Sequence, residues 1–114
     1  MQIIKSIKIT EQDIDDIMIT ALEGGINYWC DSVEINYNPA NKEYASEIIA
    51  YGGELRLILE GAEWVLTREM IIGGIDKAMD HFQYDCFEKF MDEYDATTAD
   101  VVVQFALFDK IVFG

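Results

Sequence analysis

Positive charge is scarce in this chain. Eight lysines and arginines stand against 22 aspartates and glutamates, a formal charge of −14 at pH 7. Affinity for nucleic acid rests on cations that displace counterions from phosphates, so this balance argues against a basic face for DNA, RNA or anionic membrane. Its field steers the molecule toward basic partners instead. Histidine occurs once, as His81. No serine or cysteine stands in a nucleophile motif, and neither GxSxG nor a triad order is present. Carboxylates abound, but no pair stands out as an acid and base of a hydrolase, so no enzymatic activity is expected. The Cys/His clusters that zinc requires are absent, as is the glycine-containing calcium loop. Neither metal nor cofactor is expected.

Proline also occurs once, and no Ser- or Gly-rich linker interrupts the sequence. Residues 1–114 therefore read as a single domain. No apolar run approaches the roughly 18 residues of a membrane span. The opening "MQIIKSIKIT" is broken by Lys5 and Lys8 and reads as an amphipathic strand, not a signal peptide. The two cysteines, Cys30 and Cys86, are far apart without a CxxC partner. They are expected as reduced thiols packed as small hydrophobes in a reducing cytosol.

What is present is a core. Hydrophobic residues make up 51% of the chain, enough for a folded domain despite its charge. The periodicity predicts a strand over "QIIKSIKI" and a helix capped by Thr10 with Asp13 completing a near capping box; Ile14, Ile17, Met18, Ala21 and Leu22 form its apolar stripe. Gly24–Gly25 is expected to stop that helix in the left-handed conformation, with "INYWCDSVEINY" following as a strand. "NPANK" reads as a turn and "KEYASEIIAYGG" as a helix ended by a second glycine pair. "ELRLILEG" reads as a strand with Leu55, Leu57 and Leu59 inward, "EGAE" as a tight hairpin and "EWVLT" as the returning strand.

Thr67 is placed to cap a helix over "REMIIGGIDKAMDHF", whose interior Gly73–Gly74 implies close backbone packing or a break. A short helix over "DCFEKFMDEY" with Asp85 as cap, a helix over "ADVVVQFALF" begun by Thr97 or Thr98, and a closing strand "KIVFG" complete the reading. The expected fold is α+β: four or five mostly antiparallel strands with helices packed on one face.

The glycine pairs "EGGI", "YGGE" and "IGGI" match no phosphate-binding loop, and the first two close helices, the wrong polarity for phosphate. The remaining constellation is the acidic stretch 76–95. It holds Asp76, Asp80, Asp85, Glu88, Asp92, Glu93 and Asp95, with Phe82, Phe87 and Tyr94 among them. Twenty helical residues extend about 30 Å. Seven carboxylates over that length approach the spacing of one charge per about 3.4 Å along a DNA strand. Asp76 with Asp80, and Glu88 with Asp92, each share a helix face and repel one another, so helix stability does not explain them. One reading is a solvated face of an acidic domain. The sharper one is a surface that imitates a phosphate backbone.

At "ALEGGINYWC", "YASEIIAYGGELRL" and "ADVVVQFALFDKIVFG" the chain resembles a family of small accessory proteins of bacteriophages and prophages of Gram-positive bacteria. The resemblance implies a phage product acting in the bacterial cytoplasm. By analogy with acidic anti-restriction and anti-CRISPR proteins, it implies a non-enzymatic inhibitor of host defence. The partner would be a basic, nucleic-acid-binding defence effector, met by the 76–95 carboxylates with Phe82, Phe87 or Tyr94 as anchors. A different class is a homo-oligomeric sponge for small nucleotide signals, as some anti-Thoeris proteins are. There Arg56, Arg68 and Lys110 would hold phosphates and Tyr28 or Trp29 would stack on a base. A phage structural or regulatory adaptor is a third.

Overall fold

The fold is that of a computed structural model, which describes residues 8–114. The strand expected over residues 2–9 falls almost wholly outside the described residues. Helix α1 (Glu11–Thr20) begins where the sequence predicts it. The Thr10 hydroxyl accepts from the Asp13 amide at 3.2 Å, and the Asp13 carboxylate accepts from the Thr10 amide at 3.0 Å, a full capping box. Its stripe buries Ile14, Ile17 and Met18.

The end of α1 corrects the sequence reading. The helix widens into one π turn over Ala21–Gly25, closed by the Ile26 amide on the Ala21 carbonyl at 3.0 Å. Neither Gly24 nor Gly25 adopts positive φ, so no left-handed cap stops the helix. Gly25 is needed for space instead: a Cβ there would lie 3.0 Å from the Ala96 carbonyl oxygen. The amides of Trp29 and Cys30 both return to the Ile26 carbonyl, and this tight turn drives Trp29 and Cys30 into the core. The strand expected from Ile26 therefore starts only at Ser32.

Three strands form the sheet among the described residues, fewer than the four or five expected. They are β1 (Ser32–Tyr37), β2 (Glu54–Leu59) and β3 (Ala62–Thr67), antiparallel in the order β1-β2-β3. Helix α2 (Ala45–Ala50) lies between β1 and β2 and ends at Gly52, whose φ of 90° supplies the left-handed turn. Glu60 and Gly61, both at positive φ, make the two-residue hairpin to β3. Leu55, Leu57 and Leu59 are buried as expected, with Leu66 opposite Leu55. The other face carries Arg56 bonded to Glu34 at 3.0 Å and stays half open to water. The closing stretch 110–114 forms no strand: the amides of Val112 and Phe113 donate to the Gln104 side chain at 2.8 Å each, not to a neighbouring strand.

Thr67 caps α3 (Arg68–His81) through the Met70 amide. Helix α4 (Phe87–Glu93) starts after Cys86 with no side-chain cap, so Asp85 does not occupy the capping position. Helix α5 (Ala96–Phe108) is capped by Asp95, not by Thr97 or Thr98; one Asp95 oxygen accepts from both the amide and the hydroxyl of Thr98 at 3.0 Å. Asp95 precedes the helix and has the acceptor that its exposed amides need.

Helix α5 is the centre of the helical layer. It packs against α3, α1, the π turn and β3, and buries Ala99, Val101, Val102 and Val103. The close packing implied by Gly73–Gly74 occurs at Gly74: a Cβ there would sit 2.3 Å from the Val102 carbonyl oxygen, whereas one on Gly73 would meet nothing within 4 Å.

Candidate functional site

Two polar residues stand one turn apart on the inner face of α5, in an otherwise apolar run. Asp100 is 5% exposed and Gln104 fully buried. Asp100 Oδ2 accepts from the Tyr28 hydroxyl at 2.5 Å, and Oδ1 accepts from Trp29 Nε1 at 2.7 Å and Gln104 Nε2 at 2.9 Å. Three donors thus compensate a buried carboxylate that would otherwise lose several kcal/mol of hydration. No lysine or arginine pairs with it among the described residues. The Trp29 ring stacks on Phe113, with centroids 5.2 Å apart. Loss of water around the Tyr28 hydroxyl, and then the bond to Asp100 and its charge, push that phenol up to about 12.

A phenol so placed stays protonated near neutrality and acts as a donor, not as a base. The network clamps the 26–30 turn and the 110–114 stretch onto α5. The residues behind the first glycine pair are therefore explained by a partner 70 residues away in sequence.

Asp100 and Gln104 escaped sequence reasoning, although a charged and an amide residue at i, i+4 in "ADVVVQFALF" was the signal.

The acidic stretch divides into separate groups. Asp76 and Asp80 are exposed on α3 and line a recess of about 420 Å³ with His81 and Phe105. Glu88 and Asp92 are exposed on α4 and line another of about 620 Å³ with Asp13, Cys86, Phe87 and Lys8. No ion pair engages these four carboxylates among the described residues, because Lys77 pairs with Asp109 and Lys89 lies 4.0 Å from Glu93. Asp85 is exposed in the connection between the helices.

Two members are used inside the fold. Glu93 accepts from the Tyr84 hydroxyl at 3.1 Å, and Asp95 caps α5, where the Thr98 amide and hydroxyl hold its carboxyl below the ordinary range. Phe82, Phe87 and Tyr94 are half-buried against the core, so each offers at most one edge outward. His81 sits edge-on to Phe82, with centroids 4.8 Å apart.

The nucleotide-binding set is dispersed. Arg56 lies on the outer sheet face between Glu34 and Glu63. Arg68 donates to the Ala50 carbonyl and faces Glu69. Lys110 is exposed and Trp29 is buried. The recess of about 420 Å³ beside Tyr28 is lined by Asp100 and by none of these three cations. Both cysteines are free, but only Cys30 is buried; Cys86 is exposed, contrary to the expected packing. Burial pushes the Cys30 thiol up, toward the unreactive form.

Among the described residues, no group of three or more His, Cys, Asp or Glu is arranged to hold a metal ion, and no helix is long and apolar enough to cross a membrane. Comparisons with protein-family models, with curated proteins and with solved structures each return no match.

Proposed function

We propose that this chain is a non-enzymatic inhibitor, a phage counter-defence protein in the bacterial cytoplasm. It occupies a basic nucleic-acid-binding groove of a host defence effector through the carboxylates of α3 and α4. One observation carries the reading: Asp76 with Asp80 and Glu88 with Asp92 are exposed pairs, while Lys77 and Lys89 are drawn off to Asp109 and Glu93. Negative charge is thereby left facing solvent on both helices. The sequence resemblance supports the phage context. Exposed contacts are each worth about 0.2–1 kcal/mol, so several must act together, and they weaken with salt.

The test is affinity capture from host lysate with the wild-type chain and with Asp76→Lys/Asp80→Lys/Glu88→Lys/Asp92→Lys. The expected outcome is retention of a nucleic-acid-binding protein by the wild type alone, with release near 1 M salt, where the Debye length is about 3 Å. Equal retention by the charge-reversed variant, or retention of none, contradicts the proposal.

A further inference from the structure

The junction of α1 and α2 carries a surface that the acidic helices do not share. Asp15, Ile19, Leu22 and Glu23 recur at i, i+4, i+7 and i+8, so they form one stripe along α1 and its π turn. Together with Tyr44 and Glu47 they line a groove of about 500 Å³. Its apolar side chains are open to solvent: Ile19 is 38% exposed and Tyr44 63%. One oxygen of Asp15 is fully buried and has no hydrogen-bond partner among the described residues. A buried acceptor without a donor costs about 1–3 kcal/mol, more when charged.

Asp15, Glu23 and Glu47 line the groove and, among the described residues, no lysine or arginine does, so phosphates and anionic lipids are repelled. A second copy of this chain is also disfavoured, because it brings 22 acids and only eight bases. The occupant must combine an apolar side chain with a cation.

We propose that the α1–α2 groove docks a short basic and apolar peptide segment of a partner protein. An aliphatic side chain of that segment rests on Ile19, Leu22 and Tyr44. Its neighbouring lysine or arginine pairs with the carboxylates of Asp15, Glu23 and Glu47 that line the groove. The surface is independent of the α3–α4 carboxylates and stands or falls apart from them.

Three labelled peptides test it: Ac-Gly-Leu-Arg-Leu-Arg-Gly, the same with glutamate for arginine, and the same with serine for leucine. Fluorescence anisotropy and methyl NMR of the full chain read the binding. The Leu-Arg peptide should bind and shift the Ile19 and Leu22 methyl signals, and the other two should not. Asp15→Asn preserves shape, and Ile19→Ser removes the apolar floor. Each should weaken binding about tenfold, Asp15→Asn by loss of a charge that faces the cation and Ile19→Ser by loss of apolar contact. Asp76→Lys/Asp80→Lys/Glu88→Lys/Asp92→Lys should leave these methyl shifts in place. The proposal is overturned by equal binding of the serine peptide, by full affinity in Asp15→Asn, or by no methyl shift at about 1 mM peptide.

Discussion

Gly73 and Gly74 are neighbours in α3, yet alanine should act on them with opposite sign. In a helix interior, glycine to alanine gains roughly 0.5–1 kcal/mol from backbone entropy alone. At Gly73 the new methyl meets nothing within 4 Å, so Gly73→Ala should collect that gain. At Gly74 the methyl would stand 2.3 Å from the Val102 carbonyl oxygen, where ordinary contact begins near 3.4 Å. Helices α3 and α5 must then part by about 1 Å at their crossing, loosening the buried Val102 and Ile75. Overpacking of this kind typically costs about 1–3 kcal/mol.

Subtracting the propensity gain leaves Gly74→Ala net destabilising, by up to about 2.5 kcal/mol. For a domain of this size, 1 kcal/mol moves the melting temperature by about 4 °C. Gly73→Ala should therefore melt about 3 °C higher and Gly74→Ala lower by up to about 10 °C than the wild type, followed by circular dichroism with urea titration as a second measure. Equal stability of the two variants, or a stabilised Gly74→Ala, would refute the α3–α5 packing described above.

Three other outcomes follow from the site geometry. Because the Tyr28 phenol is raised in the folded state to about 12, its contribution to stability is complete below the unfolded value near 10 and is lost as pH rises through 12. Tyr28→Phe should show a shallower fall in stability over that window, and in Asp100→Asn a 295 nm titration should find the Tyr28 phenol lowered but, because burial remains, still above its ordinary value. The Asp95 carboxyl is lowered, so its stabilisation is present above the unfolded value near 4 and is lost as pH falls through the folded one. Asp95→Ala should cost about 1 kcal/mol at pH 7 in urea unfolding, with the difference from wild type shrinking under acid. A thiol-specific reagent should label Cys86 at once and Cys30 only on unfolding, as mass spectrometry would report; simultaneous labelling of both would contradict the burial of Cys30.

Local signals were readable where local physics decides. The Thr10–Asp13 capping box, the leucine alternation of β2, the Glu60–Gly61 hairpin and the tight contact in the "IGGI" pair all rest on residues within a few positions of one another, or on a steric fact that glycine alone announces. Misreadings arose where a distant partner decides. Gly25 reads as a helix stop because the approach of Ala96, 71 positions on, leaves no mark near it. "INYWC" reads as strand because aromatic residues favour strands, whereas the Asp100 carboxylate and the Ile26 carbonyl fold it into a turn. Residues 110–114 look like a strand by composition, but the Gln104 carboxamide takes up two of their amides. The acidic stretch was legible as charge, not as arrangement: the demands of the α5 cap on Asp95 and of Tyr84 on Glu93 depend on where α4 ends.

The reading as an occupant of a basic groove is tested most directly by competition. A captured partner is loaded with labelled DNA, and the chain is titrated in at several salt concentrations. DNA should be displaced at one chain per groove, and the apparent affinity should fall steeply as salt rises. A ternary complex of partner, DNA and this chain, with affinity indifferent to salt, would contradict it.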